Sequence, residues 1–230
     1  MTEGMERVDW PGSGTDVLAE RAARLLEQGS ERRRILGIAG APASGKSTLA
    51  AQLVERLGGQ YPGRVALLGM DAFHLAQRIL DRRGQAAIKG APETFDGLGY
   101  LRLLERITQT SETVYAPVFE RGIEDSIAHA VEITPDTWLI ITEGNYLLLD
   151  AEPWRQLRHV VDETWFVSLE EKVRQERLLH RHLAFGHEPT EARERTLGSD
   201  QHNAELISTR RLTPDVWIEH VVDHVVEHEG

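Results

Sequence analysis

The stretch GAPASGKSTLA at residues 40–50 follows the pattern G-x-x-x-x-G-K-[ST], a glycine-rich loop whose backbone N–H groups wrap around phosphate. A short apolar run at residues 35–39 comes before it, and an amphipathic helical pattern at residues 47–57 comes after it. In the order strand, loop and helix, the positive end of the helix points at the same phosphate. We therefore predict a phosphate-binding loop formed by Gly40, Ala41, Pro42, Ala43, Ser44, Gly45, Lys46, Ser47 and Thr48.

Two side chains of this loop predict the cofactors. Lys46 places a cation on the outer phosphates of a bound nucleotide, and Ser47 offers its hydroxyl to Mg²⁺. The loop alone does not separate a GTPase, a motor or transport ATPase, and a small-molecule kinase. No N-K-x-D motif follows a strand-like run, which argues against a GTPase, and nothing in the sequence supports a motor. A kinase requires an acidic residue beside the acceptor hydroxyl and a mobile basic lid.

Carboxylates follow two of the apolar runs. Asp71 comes directly after residues 65–70, and Glu143 comes directly after residues 138–142. The carboxyl ends of strands in an open α/β sheet gather functional residues, so both side chains belong near the phosphate-binding loop. Asp71 is predicted to accept or orient the proton of an attacking hydroxyl, or alternatively to cap a helix at residues 71–80. Glu143 is predicted to hold Mg²⁺, or alternatively to be a solvated side chain at a strand end.

Short apolar runs alternate with helical patterns along most of the chain. Further strand-like runs lie at residues 113–119, 164–169 and 216–222, and helical patterns lie at residues 99–107 and 169–183. This alternation predicts an α/β fold, a parallel sheet of about five strands with helices on both faces.

The chain is predicted to form one domain over residues 1–230, because the sequence contains no internal repeat, low-complexity tract or linker. Residues 1–14 hold four Gly or Pro residues and little apolar content, so we expect a loose arm there. A helix is expected to follow it, starting near Thr15 and ending near Gly29.

Composition limits the class of protein. The net charge of −11 and the pI of about 5.4 argue against a general affinity for nucleic acid or an anionic membrane. The absence of cysteine excludes disulfides, thiolate metal sites and cysteine nucleophiles. No segment approaches the roughly 20 apolar residues of a membrane span, and the first residues lack the apolar core of a signal peptide. We expect a cytoplasmic protein whose partner is a small molecule.

Five stretches in this order resemble one known group of enzymes: GAPASGKSTLA, MDAFH at 70–74, KGAPETFD at 89–96, YAPVFERGIED at 115–125 and ITEGNYLL at 141–148. Together they are similar to the superfamily of uridine kinase, phosphoribulokinase and bacterial-type pantothenate kinase. The likeness is greatest to bacterial nucleoside/nucleotide kinase-like or fructose-transport-system kinase-like proteins, and it covers roughly residues 35–215. The resemblance implies a P-loop kinase fold with a helical lid and an ATP-dependent transfer of phosphate to the hydroxyl of a small metabolite.

The resemblance also implies roles for single residues. Asp71 falls on the position of the family's catalytic base, and Glu143 falls on its acidic metal-site residue. RQERLLHRH at residues 174–182 resembles the lid helix, within a lid region of about 174–200, in which Arg177 and Arg181 would reach the transferring phosphate oxygens. The spacing of Arg174, Arg177 and Arg181 places them on one helical face. The alternative is a solvated basic face paired with Glu170, Glu171 and Glu176.

The acceptor is the least determined part of the prediction. Uridine kinases carry Phe-Asp-His-Pro where this chain has KGAP, so the aspartate that grips the ribose hydroxyls has no counterpart here. Lys89 and Arg121 instead add positive charge, which suits a carboxylated or phosphorylated acceptor, unless they pair with neighbouring glutamates. A nucleoside, a sugar and a pantothenate-like compound all stay open. The predicted substrate contacts are Phe73, His74, Lys89, Phe119, Arg121 and Asn145.

The sequence also leaves open a function other than that of a kinase, as well as the oligomeric state and the roles of several residues. A regulatory ATP-binding protein with little acceptor chemistry would need the phosphate-binding loop but neither the carboxylates nor the basic lid. Dimers are common in the family, although the sequence gives no interface signal for a homodimer. His220, His224 and His228 are spaced by four, but the β-branched residues between them favour a strand with solvent-facing histidines over a helical metal site. Asn203 lies in a D-x-x-N stretch for which the sequence offers no mechanism.

Overall fold

The structure, a computed structural model, describes residues 5–186 and 188–222. Within that part of the chain, six parallel strands form one sheet, in the order β1-β8-β7-β2-β6-β3, and two antiparallel strands form a separate hairpin. The strands are β1 (Glu6–Trp10), β2 (Arg34–Gly40), β3 (Val65–Gly69), β4 (Val114–Glu120), β5 (Asp125–Ile133), β6 (Leu139–Gly144), β7 (Glu163–Ser168) and β8 (Val216–His220), of which β4 and β5 make the hairpin.

Helices cover the sheet and connect its strands. The α-helices are α1 (Ser13–Glu27), α2 (Lys46–Gln60), α3 (Gln77–Arg83), α4 (Gly97–Gln109), α5 (Glu171–Ala184), α6 (Pro189–Leu197) and α7 (Ser199–Thr209). Short 3₁₀ helices lie at Gln28–Ser30, Met70–Phe73, Ala86–Ile88, Pro92–Thr94 and Trp154–His159. No helix in the described residues is both long enough and apolar enough to cross a membrane.

Two apolar cores hold the sheet between its helices. On one face, Leu18 of α1 and Leu53 of α2 pack in the same cluster as Trp165 of β7. On the other face, Leu104 of α4 packs in a cluster with Ile140 of β6. The central strands β2 and β6 are buried on both sides and therefore read as continuous apolar runs. The prediction of an α/β fold with helices on both faces is confirmed, and the parallel sheet has six strands rather than about five.

The prediction of a loose arm over residues 1–14 was wrong for the described part of that segment. Glu6–Trp10 forms the edge strand β1, which pairs in parallel with β8, and α1 begins at Ser13. Val8 and Trp10 are buried while Arg7 and Asp9 are exposed, so the strand has the alternating pattern of an element with one buried face. The low apolar content of this segment did not exclude a strand, because the two inward-facing side chains Val8 and Trp10 are enough to pack an edge strand against the core.

The run at residues 113–119 is a strand but lies outside the parallel sheet. It corresponds to β4, which pairs with β5, and the register shifts between Ala116 and Val118. Pro117, between them, has no N–H group to give to a strand ladder, so this segment is unsuited to a central position in the sheet. The hairpin instead extends beside the carboxyl end of β3, where its turn reaches the cavity described below.

Arg33 ties the first strand of the phosphate-binding unit to the hairpin region. The side chain lies just before β2 and the residue is only 5% exposed. Its guanidinium donates to the carbonyl oxygens of Ile107 at 3.3 Å and of Thr110, Glu112 and Thr134 at 2.9 Å each. Burial lowers the pKa of Arg33. One cation thus satisfies carbonyl groups at the end of α4 and at both ends of the hairpin.

We predict that Arg33→Met lowers the free energy of unfolding by about 2–4 kcal/mol, because buried carbonyl groups lose a charged donor. Urea denaturation followed by circular dichroism measures this change. Arg102→Met is the matched control, because Arg102 is exposed on α4 and pairs only with Glu105 among the described residues, so its loss is expected to cost under about 0.5 kcal/mol. Equal stability of the two variants would contradict the bridging role of Arg33.

Candidate active site

The phosphate-binding loop leaves the carboxyl end of β2 and leads straight into α2. Gly45 has a φ of +104°, in the left-handed region that favours glycine, and α2 begins at the next residue, Lys46. A Cβ atom at Gly45 would lie 2.5 Å from Nδ1 of His220, so both backbone conformation and space require glycine here. Among the described residues no side chain caps α2. Its first N–H groups are therefore available to a phosphate.

His220 supports this loop from behind. Its Nδ1 lies 2.6 Å from the carbonyl oxygen of Ser44, and its ring centroid lies 4.3 Å from that of Trp10. The short contact to a carbonyl requires the proton on Nδ1, so Arg177, whose Nη1 is 3.4 Å from that same atom, is a neighbour rather than a donor to it. Burial lowers the pKa of His220; the bond to Ser44 opposes this shift and Arg177 adds to it.

The expectation of a solvent-facing His220 was therefore wrong. Position 220 pairs in register with Trp10, and the edge strand places both rings against the loop. The only signal in the sequence was the apolar alternation of Val8 and Trp10, which marks residues 6–10 as a strand. His224 and His228 lie outside the described residues.

Glu143 lies between the phosphate-binding loop and the end of β3 because of strand register. β6 pairs with β2 on one side and with β3 on the other, so that Glu143 stands opposite Ile38 and opposite Gly69. Its Oε2 lies 3.9 Å from Nζ of Lys46, and both side chains are 12% exposed. The alternative of a solvated Glu143 is therefore wrong. Burial raises the pKa of Glu143, while Lys46 acts to lower it.

Ser47 and Glu143 fit a Mg²⁺ ion. An interaction with the Ser47 side chain also acts to lower the pKa of Glu143, so these two oxygen-bearing groups are neighbours. Within the described residues there is no cluster of three or more His, Asp or Glu side chains that could hold a metal. A cation here would therefore take its other ligands from phosphate and water, which is how Mg²⁺ is held in nucleotide sites. A buried carboxylate whose nearest cation is 3.9 Å away also gains from that charge.

Asp71 opens into the cavity at the end of β3. It lies in the 3₁₀ helix Met70–Phe73, whose N-cap is Gly69, and α3 is capped by Ala76 without a side-chain bond. The alternative of Asp71 as a helix cap is therefore wrong. Its carboxylate is 34% exposed, and Oδ2 lies 3.5 Å from Nη2 of Arg121. Gly144 of β6 allows this end of β3 to approach closely, since a Cβ there would lie 2.4 Å from Cβ of Met70.

Aromatic rings form one wall beside Asp71. His74 donates from Nδ1 to the carbonyl oxygen of Asp71 at 2.8 Å, and its ring lies 4.0 Å from that of Phe95 and 5.1 Å from that of Phe119. Burial lowers the pKa of His74. Phe73, which we predicted to contact the substrate, packs edge-on against Tyr100 instead and does not line the cavity. In a 3₁₀ turn, neighbouring side chains point in different directions, so only one of the pair reaches the site.

Lys89 and Arg121 both reach the cavity, and both have acidic neighbours. Nζ of Lys89 lies 3.1 Å from the carbonyl oxygen and 3.6 Å from Oε2 of Glu124. The alternative that Lys89 pairs with a neighbouring glutamate is therefore confirmed. Arg121 pairs with Asp71 rather than with a glutamate. Asn145 also lines the cavity, and its buried amide oxygen finds no hydrogen-bond partner among the described residues.

Asn203 anchors the loop that carries Lys89. It is 3% exposed, and its Nδ2 donates to the carbonyl oxygen of Gly90 at 3.3 Å. The hydroxyl of Tyr146 donates to the same oxygen, and the N–H of Gly90 donates to Thr94 at 3.0 Å. The D-x-x-N stretch thus has a structural role that the sequence did not reveal, because α7 holds the loop at residues 89–94.

The described part of the lid region 174–200 consists mostly of α5, α6 and the start of α7. α5 brings two of its three arginines to the cavity. Arg177 and Arg181 line it. Arg174 is 2% exposed and donates instead to Glu171 at 2.6 Å and to Gln201 at 2.5 Å. The alternative is therefore right about the pairing of Arg174 with Glu171 and wrong about the solvation of Arg174. Burial lowers the pKa of Arg181, and the nearby cation Arg121 adds to that shift, while Asp200 opposes it.

These elements enclose one cavity of about 760 Å³. The predicted site residues that line it are Pro42, Ala43, Gly45, Lys46, Ser47, Thr48, Asp71, His74, Lys89, Phe119, Arg121, Asn145, Arg177 and Arg181. Gly40, Ala41, Ser44 and Glu143 are not among its lining residues. Among the residues that the structure describes, its ionisable lining consists of six cations (Lys46, Lys89, Arg121, Arg177, Arg181 and Arg195), three acids (Asp71, Glu124 and Asp200) and two histidines. A chain with a net charge of −11 therefore gathers positive charge at this cavity, as the binding of phosphate requires.

We predict that His220→Leu weakens the binding of Mg-ATP by about 2- to 10-fold, because the loop loses one buried hydrogen bond at Ser44. His220→Asn is the matched control, since an amide nitrogen can take the place of Nδ1 and should restore most of the affinity. Isothermal titration calorimetry with a non-hydrolysable ATP analogue measures both. Identical affinities for the leucine variant and the natural protein would contradict a supporting role for His220.

Several of the known proteins that are similar to this chain are kinases by name. A Schizosaccharomyces pombe protein named "Putative uridine kinase C227.14" is 36% identical over 227 residues, which cover 93% of this chain and 94% of that protein. The pantothenate kinase of Streptomyces coelicolor is 34% identical over 131 residues, covering 55% of this chain and 37% of that enzyme. No protein-family model matches the chain.

Two solved structures that share the fold of this chain are also kinases by name. A "putative fructose transport system kinase" from Silicibacter sp. TM1040 superposes with a TM-score of 0.80 at 37% identity, covering 88% of this chain and 98% of that one. Phosphoribulokinase from Rhodobacter spheroides, at 17% identity and a TM-score of 0.55, shares the fold. The carboxylates at the ends of β3 and β6, the phosphate-binding loop between β2 and α2, and these relatives lead to one conclusion: the chain belongs to the P-loop kinase superfamily of uridine kinase, phosphoribulokinase and bacterial pantothenate kinase.

Proposed function

We propose that this protein transfers the γ-phosphate of Mg-ATP to an alcohol hydroxyl of a small metabolite. One observation carries the proposal: Asp71 opens into the same cavity as the phosphate-binding loop, while Arg177 and Arg181 line that cavity from the lid helix. A protein that only switches shape on binding ATP needs the loop but needs neither a carboxylate on the acceptor side nor arginines over the phosphates. The kinase names of the relatives support the same reading.

The nucleotide half of the site would hold and orient the phosphates. The N–H groups at the start of α2 and the ammonium of Lys46 would bind the β- and γ-phosphates. Ser47 and Glu143 would hold Mg²⁺, which supplies charge neutralisation at the phosphate oxygens. The buried pair of Lys46 and Glu143 keeps these charges fixed before the nucleotide arrives, so little reorganisation is needed.

The acceptor half would position the attacking oxygen. The acceptor oxygen forms a bond to the γ-phosphorus, the bond from that phosphorus to the β,γ-bridging oxygen breaks, and ADP leaves. Asp71 accepts the proton of the hydroxyl as this bond forms. Arg177 and Arg181 stabilise the charge spread over the transferring oxygens, a task that suits the planar guanidinium group. Sites of this kind work by positioning and by charge stabilisation.

We predict that Asp71→Asn lowers the acceptor-stimulated rate of ADP release by about 100-fold or more, because the hydroxyl loses its proton acceptor. The affinity for ATP should stay within about 3-fold of the natural protein, since Asp71 lies on the acceptor side. A coupled ADP-release assay measures the rate, and calorimetry measures the affinity.

Asp81→Asn is the matched control for this variant. Asp81 is exposed on α3 and accepts a hydrogen bond from Gln77. Near-normal turnover in Asp71→Asn would remove Asp71 as the base. ATP binding without any acceptor-stimulated turnover in the natural protein would favour the regulatory reading instead.

A further inference from the structure

Cations from separate elements converge on the acceptor side of the cavity. Lys89 comes from the loop after residues 86–88, Arg121 from the turn between β4 and β5, and Arg181 from α5. Arg121 is close enough to Arg181 to act against its positive charge, and Lys89 acts in the same way on His74. Like charges held near one another are costly unless an anion lies among them.

Two of these cations form ion pairs with carboxylates of the chain itself. Lys89 faces Glu124, which lies in the exposed hairpin turn with 62% of its side chain in contact with water. Exposed pairs of this kind contribute little to stability, so Glu124 is readily replaced. Arg121 faces Asp71, the residue that the proposed transfer needs for the acceptor hydroxyl. An acceptor that brings its own anion would leave Asp71 free for the hydroxyl and still give Arg121 a partner.

The position of Lys89 is restricted by contacts of its loop and of its side chain. The carbonyl of the next residue, Gly90, accepts hydrogen bonds from Tyr146 and Asn203, which fix the loop. The ammonium group lies 5.8 Å above the centroid of the Phe119 ring, and the lysine side chain is only 20% exposed. A fixed cation over an aromatic wall loses less entropy on binding an anion and is less screened by water than a surface lysine.

We propose that the acceptor carries a carboxylate or phosphate group near its reacting hydroxyl, and that Lys89 and Arg121 bind this group. The guanidinium fork of Arg121 matches both anions, and the ammonium of Lys89 supplies the second charge. Hydroxy acids and sugar phosphates are then the substrate class, and their neutral counterparts are not. This inference rests on the proposed kinase function.

The test compares acceptors in matched pairs that differ mainly in an anionic group. The pairs are glycerol and D-glycerate, panthenol and pantothenate, D-fructose and D-fructose 1-phosphate, and D-ribulose and D-ribulose 5-phosphate. The coupled ADP-release assay with Mg-ATP reports kcat/KM for each compound. We expect the highest value for an anionic compound, and at least a tenfold advantage of that compound over its neutral partner, because a charge-assisted contact is lost in the neutral form.

Variants then assign the selectivity to residues. Lys89→Met and Arg121→Met should each raise KM for the preferred anionic acceptor by about 10- to 100-fold and leave KM for ATP within about 2-fold. Both should reduce the ratio of anionic to neutral kcat/KM, which a merely structural role would not change. Arg102→Met, on the exposed face of α4, is the control and should match the natural protein.

The outcomes separate this inference from the kinase proposal. Best turnover with a neutral compound, unaffected by Lys89→Met and Arg121→Met, would overturn the anionic acceptor and leave the kinase standing. Absence of turnover with every compound would count against the kinase proposal. Calorimetric titration of the same anionic compounds into protein saturated with Mg²⁺ and a non-hydrolysable ATP analogue then decides the inference. Binding that both variants lose supports the anion site, and no binding to the natural protein overturns it.

Discussion

The parallel pairing of β6 with β2 on one side and β3 on the other is the constraint on which the site depends. Because all three strands run in the same direction, their carboxyl ends meet at one edge of the sheet. The phosphate-binding loop leaves β2 there, Glu143 is the penultimate residue of β6, and Asp71 follows β3. Gly144 lets the end of β3 approach, since no Cβ would fit beside Met70. A register shift of one residue would turn Glu143 away from Lys46.

The buried charges at this edge of the sheet compensate one another only in part, which favours the binding of charged ligands. Burying Glu143 is costly, as the direction of its pKa shift shows, and Lys46 at 3.9 Å offsets only part of the cost. Arg181 is likewise buried in the company of another cation. In the proposed function, a bound metal ion and phosphate oxygens would offset both of these electrostatic costs. The same logic, applied to Lys89 and Arg121, leads to an anionic acceptor.

Contiguous patterns predicted most of the fold and the position of the phosphate-binding loop and of two carboxylates at one edge of the sheet. Each of these features is defined by residues that are close together in the sequence: the loop motif, the apolar strands and the carboxylates that follow two of the strands. The support of the loop by His220 was not predictable in this way, because it depends on the pairing of strands from opposite ends of the chain. Nor did helical spacing show that Arg174 pairs inward with Gln201, or that Phe73 packs on Tyr100 beside the cavity-facing His74. Those directions are set by tertiary packing.

The most direct test of the account is a crystal structure with Mg²⁺ and a non-hydrolysable ATP analogue. We predict that the hydroxyl of Ser47 binds the metal ion and that Glu143 binds it directly or through one water molecule. We also predict that the γ-phosphate faces Asp71 across a gap that admits a hydroxyl oxygen, about 3–3.5 Å from the phosphorus. A nucleotide whose γ-phosphate points away from Asp71, or a metal ion held without Ser47 and Glu143, would contradict the central claim.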